Sequence, residues 1–469
     1  MKWGDRTVGQ RGFLLFWCLL LGTAGLLINL GGCGGTSTNP NPRPKINHVV
    51  VIFQENRSTD NLFGGDQNLM AAGADLATSG LDSLGQTIPL TPVALANDYN
   101  TEHSHEAFVN MYDGGKMDGA NLISVGCNQG ATDCPGPNLQ FKYVNPSDVA
   151  PYYALAEQYT FADQMFQTNQ GPSFPAHQFI ISGTSAPTAT SDLFAAENPQ
   201  AQGGAEISVT DNTGCIAPLT QVVRLIDPTG DESQSQYPCF DHPTLTDLLD
   251  QEQLSWRYYT PLAGSIWTAP NAIQHICVPN SGNTECTGSD WTNNVVLNQT
   301  QVLTDIADGH LPAVSWVIPS GQESDHPGIN DGSGPAWVAS IVNAIGNSPY
   351  WSDTAIFIAW DDWGGWYDHV APSIYNSYEY GFRVPLIVVS PYAKAAHISH
   401  VTHDFGSILK FIETNFGLGS LGYADARADD LSDCFDFNQT PITFQAIPAQ
   451  YDARHFLNDK TPPLDPDDD

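Results

Sequence analysis

Basic residues are scarce in this chain: 16 Lys and Arg stand against 51 Asp and Glu, for a formal net charge of −35. That balance excludes nucleic acid as a partner, because a phosphate backbone demands a basic surface. An acidic surface keeps an exported protein soluble, and it also suits acidic surroundings, where part of the carboxylate charge is neutralised. Long apolar runs are almost as scarce. After Phe13–Leu30 no comparable run occurs, so nothing later in the chain reads as a membrane-spanning helix. No CxxC spacing is present, which argues against a thiolate-bound zinc. No internal repeat is evident, which excludes a repeat architecture.

What is present is globular. The 469 residues are 41% hydrophobic, with 42 Gly and 33 Pro, a composition with a core and many loops. That length suits one large α/β domain or two or three smaller ones. Lys2, Arg6 and Arg11 precede the Phe13–Leu30 run, which ends in Leu30-Gly31-Gly32-Cys33. This segment resembles a bacterial lipoprotein signal, so residues 1–32 are expected to be removed and Cys33 to carry lipid. An ordinary secretory signal or an uncleaved anchor are the alternatives. Either way the protein is expected to be exported, as a lipid-anchored protein of the periplasm or cell surface, or secreted. Residues 33–45 read as a flexible tether. Cys127/Cys134, Cys215/Cys239 and Cys277/Cys286 form local pairs in polar loops, suited to three disulfide staples after export, with Cys434 left over. Spacing alone leaves the connectivity open.

Strand-like and helix-like runs alternate. Val49–Phe53, Ala355–Trp360, Val384–Val389 and Val314–Ile318 read as buried strands, the near-continuous apolar kind that suits parallel pairing. Helices are expected at Val149–Glu157, Leu245–Leu254, Trp337–Ile345 and Phe405–Thr414. The pattern predicts an α/β domain over 46–458 with a mainly parallel central sheet. Residues 185–300 are irregular and read as an insertion or cap, and 459–469 as a disordered acidic tail.

Chemistry concentrates in a few loops. The first strand runs directly into Glu55-Asn56-Arg57 within HVVVIFQENRSTDNLFG, and AIFIAW runs into Asp361-Asp362 within AWDDWGGWYDHVAP. Strand ends that deliver carboxylates are where open α/β sheets build sites. Neighbouring aspartates repel, and a divalent cation relieves the repulsion. Oxygen donors from Glu55, Asn56, Asp361 and Asp362 make a hard site, favouring Ca, Mg or Mn over Zn. Alone, an Asp-Asp pair is as readily a solvated loop tip. Ser173 lies in GPSFPAH, which reads as a rigid Pro loop; His103 and His105 lie in TEHSHEAF ahead of GGKMDG; His326 lies in SDHPG and His369 in YDHV. Histidines beside acids suit neutralising a phosphate and protonating an alkoxide. Any one of them alone would be an ordinary loop or core residue.

Together, and in this order, these motifs resemble the phosphoesterase family of bacterial phospholipases C and related acid phosphatases, over about His48–Leu418. The resemblance implies an alkaline-phosphatase-like α/β/α sandwich and metal-assisted hydrolysis of a phosphate ester. It implies Ser173 as nucleophile and metal contact, Glu55, Asn56, Asp361 and Asp362 as metal ligands, and His103, His326 and His369 facing the phosphate. His105, Arg57, Lys116 and Asp118 are expected near the substrate, with Arg383 bracing loops and Asp368 orienting His369 or capping a turn. Phospholipid is the implied substrate. A phosphomonoester, as in the acid phosphatases, is one alternative, and a non-catalytic binding lipoprotein is another. Several positions depart from the family pattern: Asp362 and Asp325 stand for Glu, Ala176 for Asn, Ser373 for Pro and Phe405 for His. None removes an implied ligand or the nucleophile.

Overall fold

Val49-Val50-Val51-Ile52-Phe53 is β-branched and aromatic throughout, which favours pleated backbone buried on both faces. It forms the central strand β1, His48–Gln54. The computed structural model describes residues 45–203 and 212–464; the expected signal and lipid anchor lie outside these residues. Seven further described strands complete a sheet with β1: β2 Thr160–Ala162, β3 Trp256–Tyr259, β4 Val295–Val296, β5 Val314–Val317, β6 Thr354–Trp360, β7 Leu386–Val389 and β8 His397–Ser399. Their order is β4-β3-β5-β1-β6-β7-β2-β8. Pairing is parallel except where β7 meets β6 and β2. The expectation that the Val384–Val389 run is parallel therefore fails. An apolar run reports burial on two faces, and a reversed strand in a covered sheet is buried in the same way.

Helices cover both faces. They include α1 Thr59–Phe63, α2 Ala150–Gln158, α3 Ser173–Ser182, α4 Leu245–Gln251, α5 Gly334–Gly346 and α6 Phe405–Phe416. Phe357 and Trp360 of β6 are three residues apart and so point to opposite faces. Phe357 meets Phe411 of α6 at 5.0 Å between ring centroids, and Trp360 meets Tyr152 of α2 at 5.0 Å. Helix α3 packs with α6, and α5 with α2. The α/β domain expected from the alternation is present, and helices on both faces make it the α/β/α sandwich that the resemblance implies. Local chemistry sets the helix ends. Asp404 and Ser407 cap α6 reciprocally, Pro151 and Pro335 sit in the first turns of α2 and α5, and Gly183 closes α3 in the left-handed region.

Three sequence expectations are corrected. Residues 185–300 are not one insertion, since β3 and β4 are strands of the central sheet. The added part is a small antiparallel sheet of Phe194–Ala195, Gln200–Ala201, Gln221–Ile226 and Gln234–Gln236. The tail is docked as far as it is described: Leu464 N donates to Gln322 Oε1 at 2.9 Å, and Gly321 N donates to Leu464 O at 3.1 Å. GPSFP is not a rigid loop but the start of α3, where a proline costs no backbone hydrogen bond. The three local cysteine pairs are disulfides, Cys127–Cys134, Cys215–Cys239 and Cys277–Cys286. Cys434 is a buried free thiol, pushed up to about 12 by burial, which makes it inert. No helix among the described residues is long and apolar enough to cross a membrane.

Candidate active site

Parallel register brings the two acidic strand ends together. Gln54 of β1 lies beside Trp360 of β6, so Glu55 and Asp361 emerge as neighbours. Asp361 N donates to Gln54 O at 3.0 Å and Arg57 N to Asp362 O at 3.0 Å, which keeps the ladder going past the strands. Asn56 turns with φ +60°, a left-handed conformation that Asn tolerates better than most residues. The turn aims Asn56 N at Asp361 Oδ1, 3.0 Å away. Gly364 makes that turn possible from the other side: its φ is +60°, and a Cβ there would lie 2.3 Å from Asn56 O.

Ser173 is the first residue of α3, where backbone N–H groups and the helix dipole favour negative charge. Its Oγ donates to Asp362 Oδ2 at 3.1 Å, and Gly364 N donates to Asp362 Oδ1 at 2.7 Å. The Asp362 carboxyl is pushed up to about 7, by burial first and by the Asp361 charge second. Burial and Asp361 likewise raise Glu55 well above the usual carboxylate range. His103 Nδ1 faces Thr101 O at 3.0 Å, and a carbonyl can only accept, so Nδ1 carries the proton. Nε2 then accepts from Asn56 Nδ2 at 3.0 Å, which leaves the Asn56 carbonyl oxygen buried and without a hydrogen-bond partner. Nε2 is also 3.7 Å from Asp362 Oδ2. His326 stands 6.4 Å from His103, centroid to centroid, with its Nδ1 donating to Pro327 O at 2.8 Å.

Glu55 Oε1 and Oε2, Asn56 Oδ1 and Asp361 Oδ2 are buried and have no hydrogen-bond partner. Buried carboxylate oxygens without partners are costly, and a divalent cation is the group whose chemistry fits this donor set. His177, which the sequence reading missed, faces the same space. It is buried one turn after Ser173, with Nε2 3.3 Å from Glu55 Oε1 and 3.8 Å from Asp361 Oδ2. Burial lowers its pKa to about 4, so the ring is neutral and the close approach is not an ion pair. The i, i+4 spacing from Ser173 was a usable signal once GPSFPAH is read as helix.

The sequence of the site is matched by known proteins. The Phosphoesterase family profile matches residues 46–419. The chain belongs to the phosphoesterase family. It is 24% identical to phospholipase C B of Mycobacterium tuberculosis, covering 89% of this chain and 84% of that protein. It is 24% identical to non-hemolytic phospholipase C of Pseudomonas aeruginosa, covering 87% of this chain and 60% of that protein. Against non-specific phospholipase C6 of Arabidopsis thaliana it is 25% identical, covering 85% and 74%. Among solved structures it is similar to a protein in the alkaline phosphatase superfamily from Vibrio parahaemolyticus, at a TM-score of 0.36 and 9% identity, covering 82% and 71%. As a family member the protein is a phosphoric ester hydrolase.

Five of the implied site residues are not brought to this cluster in the role expected. Arg57 is wholly buried and spends its guanidinium on Asp325 O, Leu95 O, Asn61 and Asn97, which braces loops around the site. Lys116 pairs with Asp113 on the surface, and the half-buried Asp118 sits beside that pair. His105 is occupied on both nitrogens, by Glu232 at 2.5 Å and Gln170 at 3.1 Å, and ties the added sheet to the α3 approach. His369 gives Nδ1 to Asp60 at 2.6 Å and Nε2 to Asp75 at 3.0 Å. It belongs to a second cluster, in which the buried Arg383 grips Asp368 with two bonds of 2.9 and 3.1 Å and reaches Asp60. Asp60, Asp368 and His369 are close enough together to resemble a metal site. Arg383 and the protonated His369 together balance the two carboxylates, and the carboxylate oxygens are all hydrogen-bonded.

Proposed function

We propose that the protein is a metal-dependent phospholipase C that acts through Ser173. The observation that carries this is the Ser173 hydroxyl hydrogen-bonded to Asp362 beside four buried, unpartnered acid and amide oxygens. Glu55, Asn56, Asp361, Asp362 and Ser173 would hold the cation, which would lower the serine pKa and offset charge on the phosphate oxygens. Ser173 Oγ attacks phosphorus in line, and its proton leaves along the existing bond towards Asp362 Oδ2. The start of α3 carries partial positive charge against the phosphoryl group. His103 holds Asn56 in orientation; as its Nε2 accepts a hydrogen bond, it is not the proton donor. That task is assigned to His326 as the imidazolium, in which Nδ1–H is held by Pro327 O and the second proton, on Nε2, passes to the departing alkoxide and leaves the ring neutral. Water then cleaves the phospho-serine, giving its proton to the neutral His326 ring, and the proton held by Asp362 returns to Ser173 Oγ.

Phospholipid as substrate rests on the phospholipase C relatives. The test compares release of diacylglycerol from phosphatidylcholine with release of phosphate from an aryl monoester, each with and without chelator. Diacylglycerol release that a chelator abolishes is expected. Phosphate release alone would make the protein a phosphomonoesterase, and chelator-insensitive turnover would remove the cation from the mechanism.

A further inference from the structure

His177 is a histidine in an unusual position. It lies on α3, its ring is wholly buried, and neither Nδ1 nor Nε2 has a hydrogen-bond partner. The ring orientation is set by packing, with the Phe53 ring 6.4 Å away. Its Nε2 approaches Glu55 Oε1 to 3.3 Å, yet neither atom is satisfied by the other. A misaligned contact of that length is what results when two donors aim at a third point and not at each other. Asp361 Oδ2, also unpartnered, completes the group, and the three ligand atoms lie within 4.8 Å of one another. They come from three separate elements: the end of β1, the end of β6 and the first turns of α3.

We propose that His177 is itself a ligand, binding through Nε2 the cation at the Glu55–Asp361 site and making this a mixed nitrogen–oxygen site that prefers Zn or Fe to Ca or Mg. The inference rests on the reading that this site holds a divalent cation, and it reverses the metal preference expected from the oxygen donors alone. Imidazole suits Zn, Cu, Fe and Ni, whereas Mg and Ca are satisfied by carboxylate, carbonyl and water. A neutral ring with an available lone pair is the form that ligates. One helical turn also couples the two functions: the helix that presents Ser173 would be anchored to the ion by His177.

The test uses the full chain, stripped of metal by chelator and reloaded with one equivalent of Mn(II) as a magnetic probe. Pulsed electron paramagnetic resonance then looks for coupling to an imidazole 14N. Coupling is expected in the unmodified protein and in His103→Gln, and is expected to vanish in His177→Gln. Zinc affinity, measured by competition, should fall at least about tenfold in His177→Gln while Mg affinity changes little, since even groups that only orient a ligand alter metal affinity by about 10- to 100-fold. His177→Asn serves if the Gln variant does not fold. One bound ion with no imidazole coupling, or coupling that survives loss of His177, overturns the inference and leaves the metal-dependent reading standing. Failure of the unmodified protein to bind any ion more tightly than Asp361→Asn overturns both.

Discussion

The division of labour at the site is legible residue by residue from who donates to whom. Ser173 Oγ has Asp362 as acceptor and a helix start behind it, so removing the hydroxyl removes the proposed attacking atom and leaves its surroundings in place. Ser173→Ala should lower kcat by about a thousandfold or more with little change in melting temperature; near-normal turnover would sink the assignment. His103 acts through Asn56, since its Nε2 accepts the Asn56 amide and frees the carbonyl oxygen for a cation. His103→Ala should therefore weaken metal affinity by about 10- to 100-fold, as loss of an orienting partner does, and the activity it loses should return partly at high metal concentration. The sequence named Ser173, Glu55, Asn56, Asp361, Asp362, His103 and His326 because each lies in a recognisable motif. It could not separate them from His369 or Arg57, which lie in the same motifs. Whether a side chain at a strand end turns inward to the site or sideways to a neighbouring acid depends on partners hundreds of positions away.

At the scale of elements, two loops meet by backbone contact, and one buried ion network ties several more. The turn after β6 presses against the turn after β1, and Gly364 occupies the point of contact with φ +60°. Gly364→Ala adds strain in the left-handed region and a clash with Asn56 O, together about 2–4 kcal/mol. Chemical denaturation should show that loss, along with reduced metal binding because Asn56 is displaced. Arg383 joins Asp60, Asp368 and the carbonyls of Asp75 and Asp163. Arg383→Met leaves buried Asp368 without its cation and Asp60 with His369 alone, and should cost about 3–5 kcal/mol; an unchanged melting temperature would mean that the network is dispensable. Elements were the most legible part of the sequence where they were long and apolar, as in β1, β6 and α6. They were illegible where short. The strands β2, β3, β4 and β8 have two to four residues each, too few for a period to declare itself, and the sheet they join supplies their stability. Phe405 packs edge-on against Phe53 at 5.5 Å and is core at the start of α6.

For the whole molecule, the charge balance read from composition acquires a direction. Burial, reinforced by Glu232, raises Glu197 to about 7, and burial raises Asp404 to about 7 against the pull of Arg427. Burial alone would lower His369, but Asp60 outweighs it and the ring is raised to about 9; Asp247 does the same for His275, also to about 9. The sign is common to all four. An acid with a raised folded pKa leaves the folded state holding more protons between about 4.5 and 7, so stability falls as pH rises through that window. A histidine with a raised folded pKa contributes in full below about 6.5 and loses its contribution as pH rises through about 9. The protein should melt at a higher temperature at pH 5.5 than at pH 9, and melts across that range that rise with pH would contradict the account. By itself the sequence determined the α/β class, the main strands and helices, the grouping of six cysteines into three local pairs and most of the acidic and hydroxyl groups proposed for the site, because these are written in local periodicity and in contiguous motifs; the structure joined those pairs as disulfides. Tertiary structure decided the reversed β7, the membership of β3 and β4 in the central sheet, the docking of the tail, and the removal of His369, His105, Arg57, Lys116 and Asp118 from the inner site. It alone brought His177 to Glu55 and Asp361. Each of these depends on long-range register and burial, which fix where a side chain points and are not encoded in any window of neighbouring residues.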